Sequence, residues 1–286
     1  MNVGLALRSE VFEPRLIRRL APKLDDHNFT SVWFPDLAGF DSLELAALTL
    51  GGTNKITAAT GVLRFHEHDP AQVARRVNTL SSASGGRFVL GVGSGAMLGG
   101  EAVKAIRVWV ENLKKLTASD IKVFVAALRE KMFTSASLYA DGALLNFCSP
   151  QHASHLHSGL KHSGRSFVTA CYIKLFYSEK EFVARRMFFD EFLKYDSYPH
   201  YHKLFEELGA VEAIRAIGNS PKIDRELEEP LLSIARYNPT KEEVWGLVDA
   251  FRRSGVDLPI VYPYVDGDDD YKLRVIRELS DVFDCD

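Results

Sequence analysis

Apolar residues fall in short runs along this chain, and between the runs they recur every three or four positions. Val3–Leu7 is followed by Glu13–His27, where Leu16, Leu20 and Leu24 share a face. Ser31–Phe34 precedes Ser42–Leu50, and Ile56–Val62 precedes Pro70–Ser84, in which Val73, Val77 and Leu80 recur at the period of a helix. The alternation continues with strands at Arg87–Val92, Lys122–Ala126, Gly142–Phe147 and Phe167–Phe176. The helices between and after them are Gly100–Leu116, Glu130–Tyr139, Gln151–His162 and an acidic, aromatic region from Glu179 to about Leu208. The last unit runs in the other order, helix Lys241–Ser254, strand Leu258–Tyr262 and closing helix Asp270–Phe283. The strand runs are apolar throughout, as expected for parallel strands covered on both faces. Eight strands alternating with helices predict an α/β fold, an eight-stranded parallel (β/α)8 TIM barrel. A doubly wound open sheet would give the same local pattern. Asp196–Asn238 reads as an excursion before the last unit, and no Pro/Gly/Ser linker divides the chain, so residues 1–286 are expected to form a single domain.

Composition narrows the function classes. Hydrophobic residues are 46% and charged residues 26% of the 286, an ordinary globular balance. Lys plus Arg number 35 against 38 Asp plus Glu, a net charge of −3, which removes the electrostatic case for a dedicated nucleic-acid binder. The apolar runs are too short to span a membrane and no export signal is visible, so a cytoplasmic location is expected. Cys148, Cys171 and Cys285 are widely spaced with no CxxC pair, supporting neither a disulfide framework nor a zinc knuckle.

In a barrel of this kind the chemistry sits where the strands' C-terminal ends meet the following loops. Those places carry Arg8-Ser9-Glu10, Pro35-Asp36, Gly61-Val62-Leu63-Arg64, Gly93-Ser94-Gly95, Ala127-Leu128-Arg129, Asn146 and Tyr262-Pro263-Tyr264. The Gly91-Val92-Gly93-Ser94-Gly95 run lets backbone approach an anion or a flat ring, or simply makes a tight turn. It is neither GxGxxG nor a Walker loop. Arg129 opens a helix, where it could chelate a phosphate or belong to a solvated charge run. His152, His155, His157 and His162 crowd one helix without a carboxylate at ligand spacing, so no metal is expected. His66-Glu67-His68 could transfer protons but is more simply a polar loop. The aromatic run Tyr195–Tyr201 would stack on a ligand or pack an excursion onto the barrel.

Several segments, in order, resemble the bacterial luciferase-like monooxygenase superfamily, above all its branch using the deazaflavin coenzyme F-420, which includes methylene-tetrahydromethanopterin reductases. They are 28–36 (NFTSVWFPD), 56–63 with Asp69-Pro70, 80–95 (LSSASGGRFVLGVGSG), 126–132, 140–146 and 240–244 with Gly255-Val256-Asp257. The resemblance implies a flavin or deazaflavin at the barrel's C-terminal mouth. It further implies a non-prolyl cis peptide on the third strand at Gly61-Val62, backing the ring. Gly93, Ser94 and Gly95 would lie beside the ring or its tail, and Ala126, Ala127, Leu128 and Arg129 would meet the ribityl-phosphate. The cofactor would be coenzyme F-420, with FMN as the alternative, and a homodimer is expected by the same likeness.

This sequence departs from the family's dehydrogenases at two places. Asp36 is followed by Leu37 where they carry Asp-His, and Ala96 stands where they carry Glu after the glycine turn. A reductase is therefore favoured, transferring hydride between the deazaflavin and a small organic substrate, with Glu10 and Asp36 as the catalytic candidates. Two other readings stay open: an FMN-dependent monooxygenase, and a catalytically silent barrel that only binds a flavin or a partner.

Overall fold

The computed structural model describes residues 2–95, 97, 99–160, 166–219 and 224–284. Ala96, His162 and Cys285 lie outside them. The first half alternates β1 (Gly4–Ala6), α1 (Pro14–Leu24), β2 (Ser31–Phe34), α2 (Ser42–Gly51), β3 (Thr57–Thr60), β4 (Leu63–Arg64), α3 (Pro70–Ser84), β5 (Phe88–Gly93) and α4 (Gly99–Lys114). Then come β6 (Lys122–Ala126), α5 (Glu130–Ala136), β7 (Gly142–Leu145), α6 (Pro150–Ser158), β8 (Val168–Ser178) and α7 (Glu181–Asp196). The chain closes with α8 (Pro199–Glu207), α9 (Val211–Asn219), α10 (Arg225–Leu232), β9 (Ala235–Tyr237), α11 (Lys241–Arg253), β10 (Leu258–Asp266) and α12 (Asp269–Asp281).

Eight strands pair in the order β10-β1-β2-β3-β5-β6-β7-β8, and β10 pairs again with β8, so the sheet closes on itself. Every pairing is parallel, from Gly4 beside Ile260 to Asp266 beside Ser178. The eight expected strands are the eight staves of this barrel. Local chemistry fixes the helix starts: Asp69 caps α3 through the Ala71 and Gln72 N–H groups with Pro70 at its first position, and Thr240 with Glu243 forms a capping box on α11. Gly85, at φ +68°, ends α3 in the left-handed conformation that a residue without Cβ adopts freely.

The uniformly apolar strands serve two cores at once. Val32, Val123, Val125, Cys171, Ile173 and Val261 point outward under the helices, while Trp33, Phe124, Leu144, Tyr172, Ile260 and Tyr262 point into the barrel. Successive residues on one strand enter different cores, as the twofold repeat of a strand requires.

Three details go beyond the sequence pattern. The expected strand Ile56–Val62 divides into β3 and β4 around the cis Gly61–Val62 peptide that the resemblance implied, and among the described residues β4 pairs with β5 alone, Leu63 beside Val92. The long helical region from Glu179 breaks into α7 and α8 with Pro199 at the first position of α8, where a missing N–H costs nothing. The excursion holds α8 to α10 and a short strand, β9, that pairs with Lys174–Phe176 of β8. Along β8, β7 pairs with Val168–Cys171, and β9 takes over the wall where β7 ends. No helix among the described residues is long and apolar enough to cross a membrane.

Candidate active site

Two different arcs make up the C-terminal mouth of the barrel. On the first, β5 turns glycines inward: a Cβ on Gly93 would stand 2.4 Å from Val62 Cγ2 and 3.3 Å from Ala126 Cβ. Gly95 has φ +56°, and its Cβ would stand 2.4 Å from the His66 ring. The glycine run thus lets the end of β5 close on the Gly61–Val62 pair, on His66 and on the end of β6. Thr60 binds this junction from beneath, its Oγ1 accepting from Gly91 N at 3.0 Å and donating to Gly91 O at 2.8 Å. Gly61, Gly93 and Ala127 are buried, whereas Val62, Ser94, Gly95, Ala126, Leu128 and Arg129 are half-exposed and form an apolar shelf with a cation at its end. Arg129 sits at the N-cap of α5 and pairs with Glu207 of α8 at 3.3 Å while keeping 40% of its side chain exposed. Asn146, just past β7, donates from Nδ2 to Tyr201 Oη at 2.8 Å, yet its Oδ1 is buried with no hydrogen-bond partner among the described residues.

The second arc, where β8, β10 and β1 end, is filled. Tyr172 donates its hydroxyl to Gly61 O at 2.8 Å and leans on Tyr262, ring centres 4.9 Å apart; Tyr264 follows at 4.7 Å. Lys174 is 1% exposed, its ammonium ringed by Phe147 at 4.1 Å, Tyr195 at 4.6 Å, Tyr264 at 5.0 Å and Tyr262 at 5.2 Å. It donates to Glu191 Oε1 at 2.7 Å and to Tyr264 Oη at 2.7 Å, and Tyr264 donates to the same Glu191 oxygen at 2.6 Å. Burial lowers the Lys174 pKa to about 8 even with Glu191 opposing. Burial alone would raise Glu191; Lys174, Tyr264 and Arg8 outweigh it and hold that carboxyl below its ordinary value.

Glu10 stands at the rim of the filled arc, accepting from Arg8 Nε at 3.2 Å, and Arg8 Nη1 faces Glu191 Oε2 at 3.5 Å. Asp36 lies past β2 beside Arg64 of β4, at 3.7 Å, and burial raises its pKa against the opposing pull of Arg64. Asp36, Glu67 and His68 bring three possible metal-ligating atoms within 4.8 Å of one another. The Arg64 guanidinium already supplies positive charge there, 3.0 Å from Glu67 as well. The histidines of α6 diverge: His152 reaches Leu128 O, and His157 bonds Ala153 O and Thr169 Oγ1.

Sequence reading named the shelf but overlooked Lys174, Glu191 and Tyr172. The signal was present: Lys174 is the one charge inside the run Phe167–Phe176, and Glu191 sits between Phe188 and Phe192 on the apolar face of its helix. The aromatic run Tyr195–Tyr201 packs the excursion onto the mouth, Tyr195 and Tyr201 both meeting Phe147.

The chain is 25% identical over 192 residues to the 5,10-methylenetetrahydromethanopterin reductase of Archaeoglobus fulgidus, covering 53% of this chain and 57% of that protein. It is 25% identical over 187 residues to the reductase of the same description from Methanolobus tindarius, 52% and 56% respectively. The chain therefore spans little more than half the length of the curated relatives it matches. Among solved structures, the coenzyme F-420 dependent tetrahydromethanopterin reductase of Methanopyrus kandleri has the same fold, with a TM-score of 0.71 at 18% identity over 99% of each chain. The oxygenating component of 3,6-diketocamphane monooxygenase from Pseudomonas putida, solved with FMN, has a TM-score of 0.64 at 13% identity over 98% of this chain and 97% of that one. Residues 1–100, from β1 to the start of α4, match the family model of the luciferase-like monooxygenases, which bears out the resemblance read from the motifs.

Proposed function

We propose that this chain is an oxidoreductase that holds a deazaflavin, coenzyme F-420, on the open arc of the mouth and works as a reductase on a small organic substrate. The observation that carries the reading is the shelf itself. Val62, Ser94, Gly95, Ala126 and Leu128 are half-exposed where β3, β5 and β6 run out, whereas Phe34 and Ser178 at the ends of β2 and β8 are buried. The donor set suits such a group: an apolar surface for a flat ring, the buried and unpartnered Asn146 Oδ1 as acceptor for a ring N–H or a hydroxyl, and Arg129 for a phosphate. When bound, the deazaflavin supplies a hydride to the substrate.

The chain's own part is placement and proton supply. Arg129 would exchange Glu207 for a phosphate, gaining a bidentate partner. The tyrosines and Lys174 close the other arc, so the substrate meets the shelf from the rim, beside Glu10 and Asp36. Burial pushes the Asp36 carboxyl up from its ordinary value, and Glu10 reaches solvent at the rim, so these two carboxyls are the groups placed to deliver the proton that accompanies hydride addition. The likeness to the methylenetetrahydromethanopterin reductases supports a reductase acting on a carbon–nitrogen centre.

Titration with reduced and oxidised F-420 and, in parallel, FMN, followed by fluorescence quenching, tests the reading. Saturable F-420 binding is expected, weakened roughly tenfold or more in Arg129→Ala, the size of one lost charge-assisted pair. Binding of FMN alone, with oxygen uptake when it is reduced, would move the assignment to a monooxygenase. Binding of neither would overturn it.

A further inference from the structure

Buried ion pairs are seldom the cheapest way to fill a core, because apolar side chains of the same volume are often at least as stable. Lys174 and Glu191 nevertheless lie inside the mouth, 1% and 6% exposed. Glu191 gives Oε1 to Lys174 and Tyr264, and turns Oε2 to Arg8 Nη1 at 3.5 Å. Arg8 Nε turns the other way, to Glu10 Oε2 at 3.2 Å. One guanidinium, seated 5.1 Å above the Tyr264 ring, is therefore shared between a sealed carboxylate and a rim carboxylate.

We infer that Glu191 and Lys174 are positioning residues for Glu10: they anchor Arg8 from inside the barrel and, through it, fix the charge and direction of the rim carboxylate. The inference rests on the reading of Glu10 as a proton donor in the proposed reductase. The groups facing this chain of contacts are Lys174 of β8, Tyr262 and Tyr264 of β10, and Glu191, Lys194 and Tyr195 of α7. Burial raises all three tyrosines and keeps them neutral, so Lys174, Glu191 and Lys194 set the charge behind Arg8. Lys174 counters Glu191, and Glu191 takes up part of the Arg8 charge, so the guanidinium does not serve Glu10 alone.

The test uses the full chain labelled with 13C at the glutamate carboxyl carbons, the Glu10 signal being assigned by its loss in Glu10→Gln. In Glu191→Gln, Arg8 serves Glu10 alone, and the Glu10 titration midpoint is expected to fall by roughly half a unit or more. Glu191→Asp should return most of that shift. The double variant Glu191→Gln/Lys174→Met also removes the opposing ammonium, which pairs with the carboxylate oxygen turned away from Arg8, and should give a smaller fall in the same direction, readable even if the single variant folds poorly. A Glu10 midpoint that stays within about 0.1 unit of the parent in the folded double variant would overturn the inference. The carboxyl titration is read without coenzyme, so it decides the positioning role whether or not F-420 or FMN binds. Failure of both coenzymes to bind would sink only the redox reading.

Discussion

Gly91→Ala is the sharpest test of how the third and fifth strand segments meet. An added Cβ would stand 2.1 Å from Thr60 O and 3.2 Å from Val62 Cγ1. An ordinary contact begins near 3.4 Å, so the backbones would have to part by more than an ångström. The neighbour is main chain, and no rotamer change relieves the clash. Parting would also strain the two bonds through Thr60 Oγ1, at 3.0 and 2.8 Å, in a junction that excludes water. At about 1 kcal/mol for each bond and about 1–3 kcal/mol for overpacking, the loss is on the order of 3–5 kcal/mol. Urea denaturation followed by circular dichroism measures it, with Gly246→Ala on the exposed face of α11 as control. Among the described residues nothing lies within 4 Å of a Cβ at Gly246, so that helix substitution should stabilise by about 0.5–1 kcal/mol. A Gly91→Ala protein within about 1 kcal/mol of its parent would refute the close approach of these strands.

Three further outcomes are expected. The Lys174 pKa is about 8 in the folded protein and near its ordinary value once unfolded. Between those pH values the unfolded chain binds more protons, so the Lys174 contribution to stability should rise with pH above about 8, a slope that Lys174→Met abolishes; parallel pH–stability curves for the two proteins would contradict this. Tyr172→Phe leaves the buried Gly61 carbonyl without its donor and should cost roughly 1–3 kcal/mol in urea denaturation, with the ring still in place. Asp69→Ala removes the cap that accepts from Ala71 and Gln72 N–H and should cost about 1 kcal/mol, with no effect on the coenzyme titrations.

The barrel was legible because parallel staves must be apolar on both faces, and runs such as Arg87–Val92 and Lys122–Ala126 could be nothing else between amphipathic helices. The rim positions on the shelf followed from that architecture. The filled arc did not, because its members come from β1, β8, α7 and β10, far apart in the chain, and are joined only by closure. β9 was hidden by its length: Ala235–Tyr237 is three residues and carries no periodicity of its own. The glycine run could be read as a ligand cradle or a turn, and its inward faces prove to meet Val62 and His66, something only tertiary packing decides.

β9 gives the excursion an unexpected standing. Lys174, Leu175 and Phe176 hydrogen-bond on one side to β10 and on the other to Ala235, Arg236 and Tyr237. Trimming residues 197–238 to reach a minimal eightfold tube would strip that flank of β8 and uncover Phe188, Phe192 and the aromatic ring of contacts about Lys174. A frayed edge of this kind recruits other chains. The segment is part of the tube's upper rim, and shortened versions of this protein should aggregate before they simplify.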